Sequence, residues 1–397
     1  MLLLKAFKNR VVFRLWLGQL GSSIGDEIYR MAFIWLSVGF IGADTGYLAA
    51  LQLFAVLLFG IFGGKWADRS NPYRTMIGVD GLRALITLIP VVFFYLRHGS
   101  FIALIVSTVF LSGLGAFFEP ALQSVLPRST KDLPTLRAAN GLMSTTIRFA
   151  RVFAPIIVGT LSAFIATIHF FTLNSLSYLI STLSIFSVRK EISFVPPVIH
   201  AENEHVLANF FQSLKLLSTK PSVQKTLFAK TLTGGAWSLV YGLGLALLVH
   251  EMDQTNVKAF GMVMGAYGFG NIIGAMAIAN FERKNPRLMV FQGLTWLGIG
   301  FIGIALTHSF ALMLVVTAIT AVGGPMNDVP FTDLIQMEFD AHELTKIVRI
   351  RMMSETFFAL VFMAVSPLLF HFFAIRTVII GAGVFTLVFG LRGLRST

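Results

Sequence analysis

Long apolar runs alternate with short polar segments along the whole chain. An α-helix needs about 20 mostly apolar residues to cross the hydrocarbon core of a bilayer. The first six runs of sufficient length lie at about 13–41, 46–64, 74–96, 101–126, 138–165 and 167–188. The second six lie at about 226–250, 257–280, 288–307, 309–335, 348–372 and 375–391. The pattern predicts an all-α membrane protein with twelve transmembrane helices.

A charged turn between the second and third runs returns in the second half of the chain. Residues 68–72 read Asp-Arg-Ser-Asn-Pro, and residues 282–286, which lie 214 positions later, read Glu-Arg-Lys-Asn-Pro. Internal repeats of this kind are typical of transporters. We therefore predict two pseudo-symmetric six-helix bundles, 1–188 and 226–397. The cytoplasmic linker 189–225 between them is predicted to hold an amphipathic helix at the lipid surface, the alternative being a solvated tether.

Composition excludes several classes of protein. The chain is 55% hydrophobic and 13% charged, whereas soluble domains are about 25% charged, so a water-soluble globule is excluded. The net charge is +12, but the basic residues are scattered over short loops, so we expect no nucleic-acid partner. The absence of cysteine excludes disulfides and thiolate metal sites. Lys5, Lys8 and Arg10 precede a first run of about thirty residues with internal charges, so we expect a first span and not a cleaved signal.

The basic residues also predict the orientation. Placing both termini and every second loop on one side gathers 22 Lys and Arg residues there, against three on the other side. Because basic loops stay in the cytoplasm, we expect cytoplasmic termini and a multi-pass protein of the inner (plasma) membrane. We expect it to be a monomer.

Ionisable residues inside the spans are candidate functional groups, because each costs about 2.5 to 3.5 kcal/mol to insert. Asp26, Glu27 and Arg30 lie near the middle of the first span, with Ser22 one turn and Gln19 two turns before Asp26. One cation neutralises only one of two adjacent carboxylates, so the other can take up and release a proton. We predict Asp26 as the proton carrier and Glu27 or Arg30 as its partner. The alternative is a structural ion pair that fixes helix packing.

Further charges lie in the third to fifth spans. Arg148 and Arg151 are three residues apart on the fifth span, and Glu119 on the fourth is the nearest acid by depth. A Glu119–Arg148 pair would leave Arg151 to meet an anionic substrate group or a midplane carboxylate. The alternative is a structural triad that locks the two spans. On the third span, Asp80 and Arg83 are spaced for a structural i, i+3 pair, and we expect Arg14 and Lys230 only to anchor their helix ends.

Other features suggest a cavity between helices. We expect Gln19, Ser22, Trp35 and Trp237 to line it. The sequence Gly-Gly-Pro-Met-Asn-Asp at 323–328 predicts an irregular helix that brings Asn327 and Asp328 to the same cavity. Pro155 is expected to bend the fifth span, because it removes a backbone hydrogen bond.

The repeated turn resembles a known family. Gly64-x-x-x-Asp68-Arg69, followed by Arg74, resembles the loop between the second and third helices of the major facilitator superfamily. Asn71 stands where the family has glycine, and asparagine tolerates the left-handed conformation that glycine would adopt. The resemblance implies the major facilitator fold, with a conformational gate formed by four residues of this turn and two of its repeat: Gly64, Asp68, Arg69, Arg74, Glu282 and Arg283.

Longer motifs resemble one branch of that superfamily, the drug and siderophore exporters that include macrolide efflux and enterobactin export proteins. The motifs are Phe-Arg-Leu-Trp-Leu-Gly at 13–18, Ser-Ser-Ile-Gly-Asp at 22–26, Asp-Gly-Leu-Arg-Ala at 80–84, Asn-Ser-Leu-Ser-Tyr at 174–178 and Gly-Gly-Pro at 323–325. The sequence Ala154-Pro155-Ile-Ile-Val-Gly159 also resembles a reduced form of the antiporter motif of the fifth span.

We therefore expect a secondary active transporter that exports an amphipathic small molecule, drug-like or a siderophore, by proton-coupled alternating access. Two alternatives stay open: a siderophore or lipid-like substrate moved in either direction, and a membrane sensor or scaffold that transports nothing. No phosphate-binding Gly-x-x-x-x-Gly-Lys loop occurs, so ATP is not expected to drive transport. We expect no cofactor, metal or enzymatic activity, and the expected partners are the substrate, protons and the bilayer.

Overall fold

Each predicted span is a long α-helix in the computed structural model, which describes residues 7–96, 101–130, 132–188, 213–252, 257–280 and 285–396. The first six helices are α1 (Arg10–Ile41), α2 (Thr45–Arg69), α3 (Pro72–Tyr95), α4 (Phe101–Ser129), α5 (Leu133–Leu161) and α6 (His169–Val188). The second six are α7 (Pro221–Met252), α8 (Val257–Asn280), α9 (Pro286–Leu306), α10 (Phe310–Glu338), α11 (Ala341–Phe372) and α12 (Ile375–Leu394). The predicted all-α architecture is confirmed.

Eleven stretches of the described chain are long and apolar enough to cross a membrane, and the first of them covers 51 residues, Arg10–Gly60. At about 1.5 Å per residue that stretch is more than twice as long as the hydrocarbon core is thick, so it crosses twice. A 3₁₀ turn at Gly42–Asp44 separates α1 from α2, and Gly42 adopts a φ of 54° there. The described residues thus form twelve helices long and apolar enough to be the spans that the pattern predicts.

The repeated Asn-Pro dipeptide begins one helix in each half. The Asn71 side chain accepts hydrogen bonds from the backbone N–H groups of Tyr73 at 3.0 Å and Arg74 at 3.4 Å, and the Asn285 side chain accepts one from Leu288 at 3.1 Å. Each proline then occupies the first turn, where its missing N–H costs nothing. The left-handed turn expected at Asn71 is wrong: its φ is −70° and its ψ 114°, because the side chain acts as an N-cap.

The second helix is longer than its apolar run. The sequence predicted an end near residue 64, but α2 continues to Arg69, so the charged turn is reduced to Ser70 and Asn71. Lysine and arginine have good helix propensity, and a helix can extend from the bilayer into water without breaking its backbone hydrogen bonds. Hydrophobicity therefore marks the membrane boundary and not the end of the helix.

Two later helices contain irregular turns. In α7, a π-helical segment at Val240–Gly244 joins Pro221–Leu239 to Leu245–Met252. In α10, a break at Val322 separates Phe310–Ala321 from Gly323–Glu338. This break lies directly before the Gly-Gly-Pro sequence, where the chain was expected to be irregular. Pro155 lies inside α5.

Contacts between Cα atoms divide the chain into two compact units. The first unit contains residues 1–36 and 54–201, and the second contains residues 37–53 and 202–397. In the first unit α3 packs on α4 and α6, and in the second unit α9 packs on α10 and α12. The same pairing six helices apart agrees with the internal repeat. The boundaries at 188 and 226 stay a prediction, and residues 189–212 of the predicted linker lie outside the described chain.

Candidate functional site

The first candidate site is built on the carboxylate of Asp26. The phenol of Tyr178 on α6 donates a hydrogen bond to Oδ1 of Asp26 on α1. The two helices pack closely here because Gly25 has no side chain. A Cβ at that position would overlap the Ser177 hydroxyl. Asp26 also lies close enough to Arg83 for their charges to interact. The half-buried carboxylate therefore faces a neutral donor and a cation from two other helices.

Arg83 on α3 joins three helices around this carboxylate. Its Nη1 lies 3.4 Å from Oδ1 of Asp80, so the i, i+3 pair that the sequence predicted is confirmed. The guanidinium carbon lies 5.4 Å from the ring centres of both Phe118 and Tyr178. A Cβ on Gly115 would lie 2.6 Å from Nη2, so the guanidinium packs directly against the glycine. Asp80 is fully buried and Arg83 is 9% exposed.

Glu27, the neighbour of Asp26, is held by arginines instead. Its Oε2 accepts from Nε of Arg30 at 2.9 Å, and its Oε1 lies 3.4 Å from Nε of Arg151 on α5. The two adjacent carboxylates thus have different surroundings: one faces a phenol, and the other lies between two guanidinium groups.

A cavity of about 200 Å³ opens beside these groups within the first unit. Asp26, Glu27 and Arg83 form its charged wall, and Phe118 and Ile147 form its apolar wall. The remaining lining side chains are polar and include Gln19, Ser23 and Glu119. Such a mixture of a few placed charges and an apolar wall is typical of sites for small molecules.

The other predicted residues of the first unit have varied positions. Gln19 lines the cavity and donates to the Ser23 hydroxyl at 3.2 Å, whereas Ser22 is buried and donates to the Gln19 carbonyl at 3.3 Å. Trp35 is buried, with 6% of its surface exposed. Glu119 is exposed and accepts a hydrogen bond from Gln123 at 3.1 Å. The side chain of Arg148 lies outside the described part of the chain.

The second unit holds a separate network of four charged groups. Nζ of Lys230 on α7 lies 2.7 Å from Oδ1 of Asp328 on α10 and 3.0 Å from Oε1 of Glu355 on α11. Nε of Arg351, one turn before Glu355, lies 2.9 Å from the same Oε1, and its Nη1 donates to the Thr332 hydroxyl at 3.2 Å. Two cations therefore balance two carboxylates where three helices meet.

Lys230 corrects one expectation. The sequence assigned it only an anchoring role at a helix end, but Lys230 is 8% exposed and its ammonium is paired inside the unit. Both Lys230 Nζ, at 5.7 Å, and the Arg351 guanidinium, at 5.3 Å, lie over the ring of the buried Phe331. The partner carboxylates lie three helices (Asp328) and four helices (Glu355) further along the chain, and this distance in sequence explains why the network was missed.

Trp237 belongs to an aromatic cluster beside the π-helical turn of α7. Its ring centre lies 5.5 Å from that of Tyr241 and 6.1 Å from that of Tyr267. Tyr241 is 2% exposed, and its hydroxyl has no hydrogen-bond partner among the described residues. Asn327 is also buried, and its amide donates to the Gly323 carbonyl at 3.0 Å. Trp237 itself is half-buried within this aromatic cluster. Asn327, in contrast, is hydrogen-bonded to the backbone of its own helix.

The predicted gate is described only in part. The surroundings of Gly64 and the side chains of Asp68 and Arg69 lie outside the described part of the structure, and so do Glu282 and Arg283 as whole residues. Arg74 is described: it is exposed in the first turn of α3.

Two functional candidates, Arg83 and Tyr178, were not predicted as site residues. Both lie in motifs that carried the family resemblance, at 80–84 and 174–178. The available signal was the spacing of small and polar residues in the second motif, since Asn174, Ser177 and Tyr178 occupy one side of α6. Without a helix partner for that side, the sequence alone did not connect Tyr178 with Asp26.

Solved structures with the same fold are transporters. A bacterial homologue of the iron transporter ferroportin, in an inward-facing state, matches with a TM-score of 0.77 and 16% identity over 97% of this chain and 98% of its own. A POT peptide transporter in complex with alafosfalin gives a TM-score of 0.71 and 15% identity over 97% and 93% of the two chains. A bacterial homologue of the human lysosomal transporter Spinster gives 0.70 and 14% over 98% of each. At these identities the likeness shows the fold.

Sequence comparisons identify the family. A comparison with curated protein sequences gives no match. The sequence model of a family described as "transmembrane secretion effector" matches residues 4–326, which is most of the chain. Together with the twelve-helix fold and its transporter neighbours, this match shows that the chain belongs to the transmembrane secretion effector family of major facilitator transporters.

Proposed function

We propose that this transporter exports an amphipathic small molecule from the cytoplasm and that protons entering the cell drive the export. It acts as a monomer in the inner membrane, with both termini in the cytoplasm, and the two units open the path to each side in turn. The observation that carries the proposal is the different pairing of the two neighbouring carboxylates. Glu27 pairs with the guanidinium groups of Arg30 and Arg151, whereas Asp26 accepts its hydrogen bond from the neutral phenol of Tyr178.

Asp26 is the proton carrier in this proposal. Tyr178 donates one hydrogen bond to the carboxylate, and this bond is compatible with either protonation state of Asp26 because the second carboxyl oxygen can hold the proton. A protonated Asp26 is neutral and can pass through the apolar part of the cycle at low cost. Each proton that crosses a potential of 100 mV contributes about 2.3 kcal/mol to export.

Glu27 supplies the fixed part of the site. The guanidinium groups of Arg30 and Arg151 approach it from the same helix and from α5, so the charge of Glu27 is balanced in both protonation states of Asp26. A change in the charge of Asp26 therefore acts on Arg83 and on the substrate, and not on the arginines around Glu27. Arg83 can then respond through its contacts with Asp80, Phe118 and Tyr178.

The cavity supports an amphipathic substrate. Phe118 and Ile147 offer apolar and aromatic contacts, while Gln19, Ser23 and Glu119 offer hydrogen bonds and a charge. A substrate that carries a cationic group would compete with the proton for Asp26. This competition is the simplest way to couple proton release to substrate binding.

A second substrate class is favoured by a different observation. The side chains of Arg30 and Arg151 are 45% and 61% exposed, although both pair with Glu27. An anionic amphiphile such as a siderophore would contact these two guanidinium groups. Its transport would depend on the arginines more than on the proton-binding residue.

Everted membrane vesicles test the proposal, because respiration acidifies their interior. We expect vesicles that contain the protein to accumulate a cationic fluorescent dye or a macrolide, and an uncoupler to abolish the accumulation. Vesicles without the protein are the control. Accumulation that persists in the presence of the uncoupler, or that needs Arg30 and Arg151 but not Asp26, would contradict cation export driven by protons.

A further inference from the structure

A second cavity lies within the second unit, at the ends of three helices. Its volume is about 400 Å³, and it lies between the first turns of α7 and α9 and the last turns of α12. Successive spans cross the membrane in opposite directions, so odd-numbered helices start on the face where even-numbered helices end. The starts of α7 and α9 and the end of α12 therefore lie on the same face of the membrane. The cavity therefore opens at the boundary between the hydrocarbon core and water, and none of its lining residues belongs to the site around Asp26.

The polar side of this cavity is cationic. Lys225, Arg287 and Arg392 line it, one from each of the three helices, and no carboxylate is among the described lining residues. Nη2 of Arg287 donates to the Ser396 hydroxyl at 3.2 Å, which fixes the direction of the guanidinium. Nε of Arg287 is buried and has no hydrogen-bond partner among the described residues. A buried donor without an acceptor is costly, and an anionic oxygen would satisfy it.

The other side of the cavity is aromatic. Phe228, Phe291 and Phe389 line it, again one from each helix. The Phe291 ring is buried against α12, since a Cβ on Gly393 would overlap it, and the Arg287 guanidinium lies 5.8 Å from its centre. Phe228, in contrast, is 53% exposed on the surface of α7. A path of apolar contacts thus leads from the cations along the outside of the helices.

We propose that this cavity binds an anionic phospholipid, with its phosphate on the three cations and its acyl chain along the phenylalanines. Basic pockets between transmembrane helices at the cytoplasmic surface suit such headgroups, and the proposed topology, on which this inference rests, places this face in the cytoplasm with 22 of the Lys and Arg residues. A free phosphate would use the cations but gain nothing from the aromatic side. The combination of both sides selects a molecule that is anionic at one end and apolar at the other.

Native mass spectrometry of the full chain in detergent tests this site. The probes are dioleoyl phosphatidylglycerol, dioleoyl phosphatidylcholine and glycerol 3-phosphate. We expect phosphatidylglycerol to bind more tightly than either of the others. Each cation near an anionic lipid contributes about fivefold to affinity, so the triple variant Lys225→Gln, Arg287→Gln, Arg392→Gln should bind phosphatidylglycerol about a hundredfold more weakly.

Three controls separate the site from general electrostatics and from misfolding. The first control is a triple variant that removes three cations outside the cavity: Lys215→Gln, Lys346→Gln, Arg349→Gln. It should leave the binding of phosphatidylglycerol unchanged. Lys225→Arg, Arg287→Lys, Arg392→Lys keeps the charges and should retain most of it. Phe228→Ser should weaken the binding of phosphatidylglycerol and leave the binding of glycerol 3-phosphate unchanged. Three results would each overturn the proposal. They are phosphatidylcholine binding as tightly as phosphatidylglycerol, the control triple variant losing as much affinity as the cavity triple variant, and glycerol 3-phosphate displacing phosphatidylglycerol completely.

Discussion

The phenol of Tyr178 donates a hydrogen bond to Oδ1 of Asp26, 152 positions away in the chain, and joins α6 to α1 within the first unit. A hydrogen bond to a charged group contributes about 1.5 to 3 kcal/mol. If this bond orients the proton carrier, Tyr178→Phe should slow transport by about tenfold to a hundredfold. The measurement is the initial rate of substrate accumulation in everted vesicles.

Tyr95→Phe is the matched control for this variant. It removes the same hydroxyl from an exposed tyrosine at the end of α3, where the phenol contacts Nε2 of His169 at 2.9 Å. We expect its rate to equal that of the unmodified protein. Equal rates for both tyrosine variants would show that the bond to Asp26 has no part in the cycle.

Close packing of α1 on α6 can be tested with two glycines of the same helix. A Cβ at Gly25 would overlap Ser177, whereas a Cβ at Gly21 would meet nothing within 4 Å. Overpacking costs about 1 to 3 kcal/mol, so Gly25→Ala should lower the unfolding temperature and reduce transport. Gly21→Ala should leave both unchanged or raise stability slightly, because alanine favours helices. A Gly25→Ala protein with unchanged stability and rate would contradict the packing described for these helices.

The role of Glu27 is separable from its effect on stability. Arg30 and Arg151 are largely exposed, so loss of their ion pairs should change the free energy of unfolding by only about 1 kcal/mol or less. Transport should nevertheless fall strongly in Glu27→Gln, because two guanidinium groups would then repel each other beside the cavity. Thermal unfolding and vesicle uptake are measured on the same preparation.

Glu338→Gln is a suitable comparison for Glu27→Gln. It breaks an exposed ion pair in which Nζ of Lys220 lies 3.1 Å from Oε2 of Glu338. This pair belongs to the second unit, whereas Glu27 and its cavity belong to the first. We expect normal transport from this variant. Normal transport from Glu27→Gln as well would mean that the two arginines need no acidic partner.

The charge network of the second unit makes a prediction about compensation. Lys230→Met should destabilise the protein by about 1 to 3 kcal/mol, because two carboxylates would then share only Arg351. Adding Glu355→Gln restores the balance of charge and should recover most of the lost stability. Unfolding followed by intrinsic fluorescence measures both variants. Additive losses in the double variant would contradict a coupled network.

The sequence predicted the helices well because membrane insertion imposes one strong rule: every span must be apolar over about 20 residues. The end of α2 could not be predicted in this way, since its last charged residues remain helical after leaving the bilayer. The repeat at Asn71 and Asn285 was recognised as a turn, but its function as a helix cap depends on backbone geometry that hydropathy does not report.

The candidate site was predicted less completely. Asp26, Glu27 and Arg30 stand out because charges within an apolar run are rare, and Glu27 does pair with Arg30. The partner of Asp26 is a neutral tyrosine from another helix, and no rule of spacing connects α1 with α6. Lys230 was misjudged for the same reason, because its partners Asp328 and Glu355 lie on helices whose contact with α7 is determined by packing.

Proton movement in liposomes tests the central claim most directly. The purified protein is reconstituted with a pH-sensitive dye trapped inside, and substrate is added without an imposed proton gradient. We predict that protons move in the direction opposite to the substrate and change the internal pH for the unmodified protein, and that Asp26→Asn, which mimics the protonated carboxyl, gives no such change. Substrate-driven proton movement that is undiminished in Asp26→Asn would contradict the account.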